Sequence, residues 1–245
     1  MAESRRLHAG GNARFMKSAF VKETLGDDIS QQCLEEDRIV TARDDTPITI
    51  RVYRPRTQTT AGAGFPVMVY AHSGGWCLGG LDTEEFICRL LVTKLRIVIV
   101  SVAYRLAPEF AYPTGIYDCY DVIKWVAANS SSVGGDLSKG FLTGGVSGGG
   151  NVTNIATILA RDDALQPALT GHLYVCTGMP FQFRSDGDLI FQVFGDELAH
   201  KNSSWEIYKD GPVASRSMND FYGGLYEVDE LIAVRLSLTK GLLAV

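Results

Sequence analysis

The sequence predicts a doubly wound α/β chain, with a mostly parallel sheet flanked by helices, on three observations. Residues 67–71 and 97–103 are near-continuous apolar runs of strand length, the pattern of strands buried on both faces. Segments of helical spacing separate such runs, so strand and helix alternate along the chain. Residues 141–151 read Phe-Leu-Thr-Gly-Gly-Val-Ser-Gly-Gly-Gly-Asn, a short apolar run, then G-x-S-x-G, then the start of a helical pattern.

Residues 1–35 are mixed polar and apolar without a clean period. Residues 38–43 and 48–53 form two strands, and Asp44-Asp45-Thr46-Pro47 joins them as a hairpin. The Thr-, Ala- and Gly-rich stretch 56–64 is a surface loop. A strand over 67–71, a helix over 84–95 and a strand over 97–103 make the first parallel crossover. The helix over 114–128 puts Ile116, Tyr120, Ile123 and Ala127 on one face. The strand of the G-x-S-x-G motif follows, then a helix with Val152, Ile155, Ala156 and Leu159 at helical spacing, then a strand over 172–176. Residues 181–226 turn polar and aromatic, with Trp205, Tyr208, Phe221 and Tyr222. Together with the N-terminal segment they could form a cap over a pocket, or outer packing.

With 245 residues, 46% of them hydrophobic, and a formal charge of -5, the chain has the size of one ordinary α/β domain. A single domain over 1–245 is expected. The acidic balance and the lack of a basic run with interleaved aromatics argue against nucleic acid as partner. No apolar run reaches the roughly 18 residues of a membrane span. The polar start Met1-Ala2-Glu3-Ser4-Arg5-Arg6 lacks the apolar core of a signal peptide, so a cytoplasmic location is expected. Cys33, Cys77, Cys88, Cys119 and Cys176 are scattered without C-x-x-C pairing and read as reduced core thiols. Cys77 follows Trp76 near the expected site, but Ser147 has the better context for a nucleophile. No ligand spacing implies a metal, and no cofactor is expected.

A serine on a sharp strand-to-helix turn needs glycine around it, because a Cβ would collide with the neighbouring strand and helix backbones. Gly145, Gly148 and Gly149 meet that need, and the following helix points its N-terminal dipole toward Ser147. Acyl transfer also needs backbone N–H groups aimed where the oxyanion forms. Gly148, directly after the serine, is one. His72-Ser73-Gly74-Gly75-Trp76, after the strand at 67–71, is the glycine-rich loop that would supply others.

These residues carry a family resemblance. The loop from His72 to Trp76 resembles the HGGG loop of the hormone-sensitive-lipase branch of the α/β-hydrolase fold. Tyr104-Arg105-Leu106-Ala107-Pro108-Glu109 is similar to that branch's YRLAPE segment, with Pro113 and Asp118 in similar register, and Gly145 to Asn151 matches its GxSxGGN elbow. The resemblance implies a carboxylesterase acting on acyl esters. Ser147 would be the nucleophile, Ser73, Gly74, Gly75 and Gly148 the oxyanion donors, and His72 the residue orienting the loop. Arg105, Glu109 and Tyr104 read as scaffold. Two departures stand out: Ser73 replaces the first glycine, and Val146 stands where the branch usually carries an acidic residue.

The serine also needs a base, normally a histidine oriented by a carboxylate, in the chain order Ser, Asp or Glu, His. After Ser147 only His172 and His200 remain. His172 lies within an apparent buried strand and reads as a satisfied core histidine. Asp196 and His200 are four apart, could pair on one helical face, and are the candidate acid and base by order alone. In the family, however, these residues come from loops after two later strands. Lys240-Gly241-Leu242 resembles the approach to the first of those strands, and the sequence stops at Val245.

The expectation is therefore a chain lacking the acid and histidine loops and the last strands. Its exposed sheet edge could support a homo-oligomer. The expected function is an impaired serine ester hydrolase whose partner is a small-molecule ester or hydrophobic ligand. The alternative is a non-catalytic, receptor-like binder on the same fold.

Overall fold

The computed structural model describes residues 1–26, 32–56, 64–177, 210 and 216–226. Its centre is a six-stranded sheet in the order β1-β2-β4-β3-β5-β6. Strands β1 (Cys33–Thr41) and β2 (Pro47–Pro55) are antiparallel to each other, and β2 is antiparallel to β4 (Val98–Val102). From β4 onward, β3 (Val67–Ala71), β5 (Phe141–Val146) and β6 (Gly171–Val175) run parallel. Among the described residues β6 has a strand on one side only.

The central runs Val-Met-Val-Tyr-Ala and Val-Ile-Val-Ser-Val are buried at every position. Their alternate residues divide between two cores, as the pleat dictates. Val67, Val69, Val98, Val100 and Val102 face one side, with Ile116 and Ile123 of α4 (Thr114–Asn129) and Val152 and Ile155 of α5 (Gly148–Asp162). Met68, Tyr70, Ile99 and Tyr53 face the other, with Cys88 and Val92 of α3 (Glu85–Leu95). Helices thus cover both faces, and the doubly wound architecture stands as expected.

Two helices precede the sheet where the sequence has no clean period, α1 (Ala2–Met16) and α2 (Ala19–Leu25). Helix α1 buries none of its residues, so it carries no apolar stripe to read. A last described helix, α6 (Arg216–Tyr226), lies within the stretch read as cap or outer packing. The remainder of that stretch, including Phe181, Asp196, His200, Trp205 and Tyr208, and the C-terminal residues from Lys240, lie outside the described residues.

The strand order locates the site. From β3 the chain crosses to β4 on one side, then returns to β5 on the other, so the direction of winding reverses between β3 and β5. In open α/β sheets, ligands bind at such a reversal, beyond the carboxyl ends of the strands. Ala71 and Gly145 are register partners, so the loop beginning at His72 and the turn at Ser147 leave the sheet side by side.

Candidate active site

Ser147 sits between β5 and α5 with φ 51° and ψ -121°, a left-handed conformation that is costly for a residue with a side chain. The neighbouring glycines make it attainable. A Cβ on Gly145 would lie 2.6 Å from the carbonyl carbon of Gly149, and one on Gly149 would lie 2.2 Å from the Ala71 carbonyl oxygen. The helix can therefore start almost in contact with the end of β3. Ser147 is exposed, its amide donates to Val175 O at 2.9 Å, and its carbonyl accepts from the amide of Asn151 at 3.1 Å.

The glycine-rich loop lies directly against this turn. A Cβ on Gly148 would stand 3.1 Å from the Trp76 nitrogen and 3.2 Å from the Gly75 nitrogen. The amides of Gly74, Gly75 and Gly148 donate to no group among the described residues. For Gly148 this follows from its place in the first turn of a helix, where amides have no partner within the helix. The Ser73 amide, by contrast, donates to Glu84 Oε1 at 3.3 Å.

The loop's shape comes from several clamps. The Cys77 and Leu78 amides both donate to Gly74 O, at 3.2 and 2.9 Å, closing a tight turn. His72 is buried and donates from Nδ1 to Ser73 O at 2.8 Å, which leaves Nε2 as the unprotonated nitrogen, without a partner among the described residues. Burial, partly offset by the Ser73 bond and aided slightly by His8, pushes its pKa down to about 4, so His72 is neutral near pH 7. Tyr104 stacks on the His72 ring at 4.3 Å and donates its hydroxyl to His72 O at 2.9 Å. Tyr104 is thus packed, as the sequence suggests, and also holds the loop. The Trp76 indole N–H donates to Asn151 Oδ1 at 3.3 Å, joining the loop to the first turn of α5. From α6, Tyr226 stacks on Trp76 at 4.9 Å, and Tyr222 covers Gly75.

No candidate base stands beside the serine among the described residues, where Ser147 Oγ makes no hydrogen bond and no group of three His, Cys, Asp or Glu side chains could hold a metal. His172 is a register partner of Thr143, four residues before Ser147, which at about 3.3 Å per residue puts it roughly 13 Å away. It is exposed rather than a core residue, with Nδ1 2.9 Å from Thr143 Oγ1, and it borders a cavity of about 490 Å³ at the far end of α5. Cys77 is buried, and that burial pushes its thiol up to about 11, so it is protonated at neutral pH.

The scaffold residues behave as the sequence suggests. Arg105 forks onto fully buried Asp118 through Nε at 3.0 Å and Nη2 at 2.6 Å, and its amide donates to the same carboxylate at 2.9 Å. Its Nη1 reaches Asp44 at 2.7 Å, which ties the β1–β2 hairpin to α4. Among the described residues no helix is long and apolar enough to cross a membrane.

A family model of the alpha/beta hydrolase fold matches residues 68–236. The chain is 40% identical over 144 residues to carboxylesterase NlhH of Mycobacterium tuberculosis, a match covering 59% of this chain and 44% of that protein. It is 35% identical over 147 residues to an arylesterase of Saccharolobus solfataricus, covering 60% and 46% respectively. The chain thus spans less than half the length of these curated relatives. Among solved structures, an esterase from Pyrobaculum calidifontis superimposes with a TM-score of 0.73 at 26% identity, over 95% of this chain and 67% of that one. On these matches the chain belongs to the α/β-hydrolase fold family, in its hormone-sensitive-lipase-like branch.

Proposed function

We propose that the protein is a carboxylic ester hydrolase of the serine type, acting on small acyl esters within a single domain. Ser147 is the nucleophile, and Gly74, Gly75 and Gly148 supply the amides that receive the oxyanion. The observation that carries this reading is the contact between the two loops: the amides of Gly75 and Gly148, which donate to no group among the described residues, meet beside an exposed serine held at positive φ. Attack by Ser147 Oγ on the ester carbonyl forms the acyl bond and expels the alcohol, and water then releases the acid. The esterase names of the relatives support the same class of reaction.

With no base in contact with Ser147 Oγ among the described residues, slow turnover is the expected outcome. Asp196 and His200 are the candidates for acid and base by chain order. Hydrolysis of p-nitrophenyl acetate by the purified chain tests the reading. Ser147→Ala should abolish turnover above background, and His200→Ala should abolish it as well only if His200 is the base. Equal rates in the parent and in Ser147→Ala would refute the nucleophile assignment.

That Ser147 Oγ has no partner among the described residues favours one second reading, a pocket that binds without turnover. It predicts ligand-induced thermal stabilisation by an ester or a hydrophobic small molecule with no product formed.

A further inference from the structure

Arg5 lies far in sequence from every residue in the reading above, in the N-terminal helix. Its guanidinium nevertheless reaches two of the loops that shape the site. Nε donates to Cys77 O at 2.8 Å, and Nη2 donates to Ala107 O at 2.9 Å. Nη1 and Nη2 also grip Glu109 at 3.0 and 2.7 Å. Cys77 closes the turn on Gly74 O, and the Ala107 amide donates to Trp76 O at 3.0 Å, so both carbonyls belong to the frame around the Gly74–Trp76 amides. One planar group thus fastens the two loops to each other and to α1.

At that end of α1, Met1 packs against the core beside this grip. No residue of the helix is buried. Its far end is held by Phe15, which packs on Phe20 and on Phe86 at 6.2 and 5.4 Å. Between the two ends, His8 Nε2 and Asn12 Nδ2 are buried without a hydrogen-bond partner among the described residues. The seating of α1 over the loop therefore rests on Arg5 and Met1 at one end and on aromatic packing at the other. A lysine could match the charge of Glu109, but a single ammonium lacks the planar fork that spans two carbonyls and a carboxylate.

We infer that Arg5 is a positioning residue for the oxyanion loop, making the geometry of that loop depend on the docking of the N-terminal helix. This rests on reading Gly74, Gly75 and Gly148 as oxyanion donors, but the bracing itself can be measured without turnover.

The experiment compares Arg5→Met, Arg5→Lys, Glu109→Gln and, as a control on an exposed neighbour, Arg6→Ala. The first readout is amide hydrogen exchange, with strand β3 as the internal reference for global unfolding. Arg5→Met and Arg5→Lys should raise exchange at Cys77 and Leu78 about tenfold while β3 is unchanged, whereas Glu109→Gln and Arg6→Ala should stay within about twofold of the parent. The second readout is p-nitrophenyl acetate hydrolysis, where both Arg5 variants should lower kcat about tenfold at a KM within about twofold of the parent.

Unchanged exchange at Cys77 and Leu78 in Arg5→Met would overturn the inference, as would a rise shared equally by β3, or full recovery in Arg5→Lys. Faster loop exchange with kcat unaltered would overturn its catalytic consequence. A parent with no Ser147-dependent turnover would refute the ester-hydrolase reading and leave the exchange result to decide the bracing.

Discussion

The most constrained residues are those where an atom more or less decides the outcome. At Gly149 a Cβ would stand 2.2 Å from Ala71 O and 2.3 Å from His72 O, both backbone atoms that cannot swing aside. Gly149→Ala should therefore cost about 3 kcal/mol or more in urea unfolding. Gly10→Ala in α1, where nothing lies within 4 Å, should instead stabilise by roughly 0.5–1 kcal/mol. Asp118 is the polar counterpart, fully buried and bonded to Arg105 by backbone and side chain. Asp118→Ala leaves a partly buried guanidinium without its main acceptor and should cost about 3–5 kcal/mol in the same measurement.

Such spacing is legible in a sequence because glycine and serine at a strand-to-helix turn obey a local steric rule. Which loop amides are already engaged is not legible in that way. Ser73 carries an amide like its neighbours, and only Glu84, eleven positions on, takes it out of use.

At the scale of elements, the loop after β3 is held by β3 itself, the Tyr104 segment, α5 and α6, and its histidine is the titratable part. His72 has a folded pKa near 4 against an ordinary 6.5, so between these values the unfolded chain binds the extra proton and stability rises with pH. This contribution is complete above about pH 6.5 and is lost as pH falls through 4, at about 3 kcal/mol in all. Partial desolvation against its neighbours also lowers the pKa of His172, which acts with the same sign.

The carboxylates act in a lower window. Arg105 holds exposed Asp44 at about 2, and Arg43 and Lys124 outweigh burial to lower Asp121, so their contributions are lost mainly below pH 4. Urea unfolding at pH 7 and 4.5 should show the His72 loss, and His72→Asn should flatten it. Equal pH dependence in both proteins would exclude His72 as its source. The helices differ in legibility for a similar reason. Helices α3, α4 and α5 bury apolar faces whose period is written in the chain, whereas α1 buries no residue and was invisible to periodicity.

For the whole molecule, the sequence by itself determined the fold class, the antiparallel hairpin at one edge and the placing of Ser147 at a turn. Each depends on short-range pattern: unbroken apolar strands, 3.6-residue spacing, and glycine where backbones must touch. The tertiary structure decided what surrounds the serine. It set the reversal between β3 and β5 that brings Ala71 beside Gly145, engaged the Ser73 amide, and moved His172 to the far end of its strand. It also carried Arg5 onto carbonyls 72 and 102 residues away. Contacts over such separations leave no periodic trace, because a surface arginine on a polar helix looks the same whether it meets water or a loop until the chain has closed around it.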